Sequence, residues 1–370
     1  AAEDREGGVM RPWLGLVFGA SVAHCFSTGW IPSLAPRSFA ASPAAGLAFS
    51  ASGKGLELGT QGGRGKCLGG AVRMAGDSMS GEILMVDEWF KKQGMKVSFE
   101  NLGGSSWSQN YKYKADNGKE YFVKTARQSA AKMFAGEALG LLAMFDTKAL
   151  RIPEVLHWGD DGKRGSYIVM EYLPLGGRSD QKALGRAVAK MHLAEPNCKE
   201  AKEGKFGFPV PNTIGGTPQP NEWDDDWVRF FREQRIGHQV KLAGDRQLQD
   251  IWKKVCDKTD GLQSLFEGVT VKPATLHGDL WSGNIASADG QPTIYDPATY
   301  FGHHEAEWGM SWCASFGGGF WEGYRELIPE DQGFKKRRAL YELYHKLNHY
   351  NLFGSGYYGD SVSLMESLLR

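Results

Sequence analysis

Three oxygen-bearing side chains constrain this chain more than anything else in it. Asp279 and Asn284 stand five residues apart in His277-Gly278-Asp279-Leu280-Trp281-Ser282-Gly283-Asn284. Asp296 follows twelve residues beyond Asn284, in Ile294-Tyr295-Asp296-Pro297, at the end of an apolar segment. Phosphoryl transfer needs oxygens in such an arrangement. One carboxylate receives a hydroxyl proton, while an amide and a second carboxylate hold Mg²⁺ on the phosphates of a nucleotide. Magnesium takes one or two protein carboxylates together with phosphate and water, so one Asp and one Asn suffice. Each of the three alone reads as an ordinary loop-capping residue; the trio at this spacing does not.

A second group upstream fits the same chemistry. Leu102-Gly103-Gly104-Ser105-Ser106 lies between two strand signals, where small residues let backbone N–H groups approach phosphate. By itself such a stretch is a turn. On the next strand, Tyr121-Phe122-Val123-Lys124 puts a lysine where it would pair with nucleotide phosphates, and Glu137 on the following helix would hold it. A lone strand lysine is normally a solvated edge charge. The downstream trio reverses that reading.

Residues 1–80 read apart from the rest. From Gly7 to Leu56 there is no Asp or Glu, and Ala, Ser, Gly and Pro dominate. Arg11, the apolar run from Trp13 to Phe26 and the small residues through Ser42 have the order of a secretory signal. The stretch after them, with Arg37, Lys54, Arg64, Lys66 and Arg73, has the composition of a transit peptide. The pair resembles the two-part leader of plastid proteins in algae with extra plastid membranes. A single organellar transit peptide, mitochondrial targeting and a cytoplasmic chain with an unstructured start are the alternatives. The apolar run is shorter than the roughly 20 residues a spanning helix needs, so no membrane anchor is expected in the mature form.

Residues 81–370 divide into two lobes. Ile83, Val86, Trp89 and Phe90 mark one amphipathic helix ending at Gly94. Strand signals follow at 96–100, 108–115 and 120–125, the last two flanking the hairpin turn Asp116-Asn117-Gly118. A helix is predicted over 130–146, then strands at 154–158 and 166–173 around Gly159-Asp160-Asp161-Gly162. The first lobe, 81–173, is thus a twisted antiparallel sheet with one inserted helix. From 174 to 370 the pattern is helical, with a helix capped by Ser179 running to Leu193 and further helices over 223–242, 246–268 and 330–350. The Gly/Pro/Asn-rich stretch 204–221 is too long for a plain connection and reads as a functional loop. The fold class is α+β, a β-rich lobe on a helical lobe with the cleft at Met170–Pro174.

At these residues the sequence resembles the fructosamine-3-kinase (ketosamine-3-kinase) family, a branch of the protein-kinase-like fold beside the aminoglycoside phosphotransferases and choline kinases. Its most specific element is His277 to Asn284. Phe206-Gly207-Phe208, the segment Gly215 to Trp223, Trp227 to Arg235 and Asp296 to Gly302 with Glu305 match as well, and the run from Gly302 to Trp312 is similar to the plant and algal form. The resemblance implies Asp279 as catalytic base, Asn284 and Asp296 as Mg²⁺ ligands, and Lys124 with Glu137 as the phosphate-binding pair. Gly103, Gly104 and Ser105 would form the phosphate loop, and Met170-Glu171-Tyr172-Leu173 the hinge that reads adenine. Glu305 would face substrate. The implied reaction is ATP-dependent phosphorylation of ketoamines, as small molecules or on glycated proteins, leading to deglycation. Many members carry Asp two residues after the Glu of the Glu-x-Asp pair; here Glu307 stands there, and its role is open. So are the preferred sugar and the oligomeric state. A small-molecule kinase of the aminoglycoside or choline type is one alternative. A kinase-like scaffold without catalysis is the other.

Other residues invite sharper readings that weigh less. Trp281 either walls a sugar subsite or packs in the core. His303 and His304, beside Glu305 and Glu307, lack the i, i+4 spacing of helical zinc ligands. Asp224-Asp225-Asp226 reads as an acidic helix start rather than a cation trap. Five cysteines without a C-x-x-C pair fit reduced thiols rather than a disulfide framework. With 43 Lys+Arg against 43 Asp+Glu, no overall field favours nucleic acid as a partner.

Overall fold

In a computed structural model, the structure describes residues 80–105, 108–177 and 179–370, together with the backbone of a two-residue strand at 73–74. The rest of the predicted leader lies outside the described residues. The chain runs β1 (Arg73–Met74), α1 (Gly81–Lys92), β2 (Val97–Gly104), β3 (Gln109–Ala115), β4 (Glu120–Ala126), α2 (Ala131–Asp146), β5 (Val155–Asp160) and β6 (Ser166–Glu171). These strands form one antiparallel sheet in the order β1-β2-β3-β4-β6-β5. The sheet therefore reaches two residues into the stretch read as a leader.

Period-two alternation decides what each face of this sheet does. Tyr111, Tyr113, Tyr121, Val123 and Val169 point to one side, where Ile83, Val86 and Phe90 of α1 cover them. Phe122 and Lys124 of β4 therefore point to the other side, toward α2. The β3–β4 turn forms as its residues dictate: Gly118 takes φ +82°, and its N–H donates to the Ala115 carbonyl. Asp160 ends β5 and caps α2 from outside, accepting hydrogen bonds from Ala130 N and the Ser129 hydroxyl. Pairing of Gly159 with Tyr167 and of Asp160 with Ser166 keeps both in the strand, so the turn falls later than the sequence suggests.

The second lobe contains α3 (Gln181–Leu193), α4 (Lys199–Lys202), β7 (Asn212–Ile214), β8 (Thr217–Gln219), α5 (Trp227–Phe230), a π-helical stretch (Phe231–Gly237), α6 (His238–Ala243) and α7 (Arg246–Lys258). After these come β9 (Ala274–Leu276), β10 (Ile285–Ala288), β11 (Gln291–Ile294), β12 (Tyr300–Gly302), α8 (Gly318–Arg325), α9 (Phe334–Phe353) and α10 (Tyr358–Leu368). Several boundaries differ from expectation. Asp180, not Ser179, caps α3, accepting from Ala183 N at 2.6 Å, while the Ser179 hydroxyl donates to the Ala286 carbonyl. Asp226 caps α5, and Asp224 and Asp225 bind Arg229, so the three aspartates do start a helix. The segment 246–268 divides because Asp260 and Leu262 take positive φ. The long 204–221 stretch holds the β7–β8 hairpin.

Burial in this lobe centres on aromatic rings, with Trp227, Phe230, Phe231, Phe301 and Tyr341 in one cluster. A second cluster joins the lobes, combining Phe134 and Leu141 of α2 with Leu184 and Val188 of α3, Leu280, Ile294 and Phe320. Within this interior Glu305, 2% exposed, receives Arg337 of α9 at 2.6 and 2.8 Å. Arg337 also donates to the carbonyls of Leu265 and Gln332. Removing one partner of a buried pair leaves an uncompensated charge and costs about 3–5 kcal/mol. Arg337→Leu is therefore expected to lower the unfolding free energy by that amount in urea titration, with Glu305→Gln in the same background restoring part of it.

Candidate active site

The catalytic-loop geometry begins with two short strands. β9 and β12 pair antiparallel, with Tyr300 opposite Leu276, which brings the residues after β9 beside those before β12. Ala298 N accordingly donates to the His277 carbonyl at 2.9 Å. Gly278 takes φ +80°, and a Cβ there would stand 2.2 Å from the Ala298 carbonyl, so only glycine fits. The loop then passes Asp279 and Trp281 into a 3-10 turn at Ser282–Asn284 and returns along β10 and β11 to Asp296. Asp296 itself takes φ +59°, a left-handed conformation costly for a non-glycine residue and frequent where geometry serves function.

Asn284 closes this arrangement. Its Nδ2 donates to the backbone carbonyls of Asp279 at 2.9 Å and Asp296 at 3.2 Å, tying the two acids' segments together. Its Oδ1 takes part in neither bond. Tyr295 adds a brace, its hydroxyl donating to the Gly283 carbonyl at 2.8 Å. Trp281 is half-buried and belongs to none of the hydrophobic clusters among the described residues; its ring lies so close to Gly283 that a Cβ there would come within 2.3 Å of it.

Glu307 turns out to hold the loop. Its carboxylate accepts from His277 N at 2.7 Å and from Gly278 N at 2.9 Å, and His192 Nε2 lies 3.3 Å away. Burial works to raise its pKa, but the hydrogen bonds from His192 and from the His277 backbone N–H help to hold it below the ordinary carboxylate value. His277 is a neutral framework residue. Its Nδ1 accepts from Asp279 N at 3.2 Å and its Nε2–H donates to the Tyr295 carbonyl at 2.8 Å, while burial lowers its pKa. Spacing alone left Glu307 without a role because its partners are backbone N–H groups, which no side-chain pattern announces. Glu305, expected to face substrate, instead spends its carboxylate on Arg337 in the interior.

Across the cleft, Lys124 Nζ lies 2.8 and 3.0 Å from the Glu137 carboxylate and 2.5 Å from Asp296 Oδ1. Burial opposes the lysine's charge, but Asp296 and Glu137 more than offset it and raise its pKa. Burial and the nearby Asp296 push Glu137 up to about 7, against the pull of Lys124. For Asp296 burial is outweighed by Lys124, and its pKa is lowered. Enclosed as it is on the Lys124 side, the Asp296 side chain still keeps 45% of its surface exposed.

Beside this cluster is a mainly apolar slot lined by Phe122, Leu141, Pro153, Met170 and Leu175, which Lys124, Glu137, Asp296, Asn110 and Tyr295 line as well. Of the four expected hinge residues, Met170 faces the slot. Glu171 turns to Arg151, with one contact at 2.9 Å, and its N–H donates to the Glu154 carbonyl. Leu173 is fully buried and packs with Ala288, and the Tyr172 ring receives Lys112 Nζ at 4.1 Å. Gly103 and Gly104 are the last residues of β2. Pairing sets Gly103, Asn110 and Lys124 in one cross-strand row, about 10 Å from end to end at the usual strand spacing. Ser105 N donates to the Ser108 carbonyl at 2.8 Å in the turn that follows, whose tip lies outside the described residues. Cys198 and Cys256 have thiol pKa values raised by burial, so neither is poised as a thiolate.

A mainly apolar slot lined by a lysine–glutamate pair, facing an Asp/Asn/Asp loop across two lobes, defines a protein-kinase-like phosphotransferase. An aminoglycoside phosphotransferase in ternary complex with AMP-PNP and hygromycin B has the same fold at 17% identity, with a TM-score of 0.52 over 77% of this chain and 97% of its own. A crystal structure from Thermobifida fusca YX-ER1, provisionally described as a fructosamine-3-kinase, aligns at 29% identity and TM-score 0.64 over 75% of this chain and 95% of its own. The fructosamine kinase family model matches residues 84–370. A protein-ribulosamine 3-kinase of Oryza sativa subsp. indica, named chloroplastic, is 46% identical over 295 residues, 77% of this chain and 83% of that protein. The chain belongs to the fructosamine kinase family.

Burial, then the charges of Asp296 and Glu307, push Asp279 up to about 7. In the role of base that the resemblance implies, Asp279 with that pKa would be protonated and idle at acid pH, so kcat/KM should rise with pH and level off above about 7. Glu307→Gln removes one of the charges that raise it. The acidic limb should then move to lower pH, and kcat should fall because the loop loses its anionic acceptor; a pH–rate profile of both proteins checks this.

Proposed function

We propose that this chain is an ATP-dependent ketosamine 3-kinase, acting on ribulosamine or fructosamine adducts of small amines and of protein lysines. The observation that carries the reading is the convergence of Asp279, Asn284 and Asp296 with the Lys124–Glu137 pair at a mainly apolar slot, in a chain similar over most of its length to protein-ribulosamine 3-kinase.

Each residue has a task that its surroundings support. The slot beside Met170 suits a flat base, and Lys124 in its lining suits phosphate charge. Glu137 steers Lys124. Asp279, with its pKa near 7, takes the proton of the sugar 3-hydroxyl as the oxygen attacks the γ-phosphorus. The half-buried Trp281 ring offers an apolar face to the sugar on that side. The donor set of Asn284 and Asp296, one amide oxygen and one exposed carboxylate, fits Mg²⁺, which takes oxygen ligands and leaves room for phosphate and water. Bound there, Mg²⁺ would neutralise charge on the phosphates of the nucleotide.

Phosphorylation at C3 places a leaving group next to the C2 ketone. The 1,2-enaminol form expels it as inorganic phosphate, and water hydrolyses the resulting C1 iminium to release the amine and a dicarbonyl sugar, so the outcome is deglycation. The leader-like composition of residues 1–80 and the chloroplastic name of the rice relative support a plastid as the site of action.

The test is full-length protein with Mg-ATP and ribulosamine, fructosamine, choline or kanamycin, following ADP release. Turnover on a ketoamine is expected, and Asp279→Asn should reduce kcat about 10²–10⁴-fold while nucleotide affinity is retained. Turnover only on choline or kanamycin would overturn the substrate class. ATP binding without turnover on any of the four would leave a kinase-like scaffold.

A further inference from the structure

Next to the buried Glu305 and Glu307 lies a second cluster of ligating side chains, none of which lines the slot. A ring nitrogen of His303, a ring nitrogen of His304 and a carboxylate oxygen of Asp331 lie within 4.8 Å of one another. Sequence spacing does not suggest this set, because the acids next to the two histidines are spent elsewhere. Glu305 binds Arg337, and Glu307 binds the catalytic loop. Asp331 comes instead from the segment between α8 and α9.

Hydrogen bonds orient both rings. His303 Nδ1 is 2.7 Å from the Tyr341 hydroxyl, which also accepts from Trp227 Nε1 at 3.2 Å. His303 Nε2 can meet a ligand in the tautomer whose Nδ1–H donates to the Tyr341 oxygen. For His304 a chain of contacts holds the ring. His192 bridges Glu307 and Tyr324, its Nε2 3.3 Å from the Glu307 carboxylate and its Nδ1 2.8 Å from the Tyr324 hydroxyl. That hydroxyl also lies 3.2 Å from His304 Nδ1, so a cation would be met by His304 Nε2 in the tautomer whose Nδ1–H donates to the Tyr324 oxygen. Metal-bound histidines are held in this manner, with the far ring nitrogen donating to an oxygen.

The surroundings favour ligation further. Burial, followed by His192 and Arg337, lowers the His304 pKa to about 3, and burial lowers that of His303 well below its ordinary value. Both rings are therefore neutral near pH 7, as a metal ligand must be. The Arg337 charge, which would repel a cation, is neutralised by Glu305. Arg337 also anchors the Asp331 segment through the Gln332 carbonyl at 2.8 Å, and Phe334 N donates to the Asp331 carbonyl at 3.1 Å. His303 is buried, His304 half-buried and Asp331 exposed, so one side of the cluster opens to solvent.

We propose that His303, His304 and Asp331 form a binding site for a transition-metal dication of the Zn²⁺ class, distinct from the oxygen-only pair Asn284 and Asp296. Two imidazoles and one carboxylate suit zinc, cobalt(II) or nickel(II), whereas Mg²⁺ prefers oxygen alone. Tetrahedral zinc with bonds near 2 Å sets its ligand atoms roughly 3.3 Å apart. The exposed Asp331 side chain and the half-buried His304 ring supply the movement that closes the set, and a water completes it. Bound metal would clamp the start of the 304–310 turn, which carries Glu307, to the segment before α9.

Full-length protein, reduced and free of nucleotide, is titrated with Co²⁺ under visible absorption and then with Zn²⁺ in competition, alongside Asp331→Asn and His304→Gln. None of these changes touches a residue that contacts nucleotide or acceptor, and thermal unfolding without metal checks that both variants fold. One Co²⁺ per chain, with the visible bands of a tetrahedral nitrogen–oxygen site, displaced by Zn²⁺ and weakened about tenfold or more in each variant, is the expected result. No binding up to about 100 μM metal would overturn the proposal. So would thiolate charge-transfer bands alone, or binding that both variants leave unchanged.

Discussion

Two backbone N–H groups, those of His277 and Gly278, point into the interior, and the Glu307 carboxylate answers both. The catalytic loop depends on this arrangement. Unpaired, those donors would each carry the cost of a buried unsatisfied group. Paired with an anion, they aim the loop outward and place Asp279 at the cleft. The same anion sits near enough to Asp279 to raise its pKa, so one buried charge sets both where the proposed base stands and how strongly it holds a proton. His192 and Tyr324 continue the bonding from Glu307, which links the loop to the histidine pair.

The two lobes meet through α2, which carries Glu137 on its buried side. Gly136 and Gly140 let this helix come close to Asn212 and Thr299 of the second lobe, where a Cβ would approach within 2.4 and 2.8 Å. Asn212 in turn donates to the Thr299 carbonyl and accepts from Gln219 and Asn221, and Arg235 donates to Asn221. The Asn212, Gln219 and Asn221 amides bond one another and the backbone, so the Gly/Pro/Asn-rich stretch is tied to the second lobe rather than a free loop. It also explains how Lys124 on one lobe meets Asp296 on the other. The helix that steers the lysine rests on the segment that follows the aspartate.

Much of this was legible along the chain. Alternation in Tyr121-Phe122-Val123-Lys124 announced a strand whose lysine faces away from the tyrosines, and the 3.6-residue pattern over 130–146 announced the helix with its glutamate. The spacing of Asp279, Asn284 and Asp296 pointed to phosphoryl transfer, and the return of the chain from β9 through β11 brings their segments together. What failed to read correctly were positions whose partners are distant or are backbone. Ser179 looks like a cap, yet its hydroxyl is drawn to Ala286, and Asp180 does the capping. The glycine-rich start of α8 conceals a helix, because helix propensity is overruled there by packing of Phe320 and Tyr324 against α3 and its neighbours.

Local periodicity and spacing, then, determined the class of fold, the strand lysine and the trio of oxygens, because each of these depends on residues near one another in the chain. Only the tertiary structure decided which of two neighbouring glutamates serves the catalytic loop and which serves the interior. Glu305 and Glu307 are the same side chain two positions apart, and nothing local distinguishes them. Arg337 approaches one and the N–H groups of His277 and Gly278 approach the other, both from tens of residues away. Buried charge is assigned by what the fold brings beside it, and that is settled only when the lobes have packed.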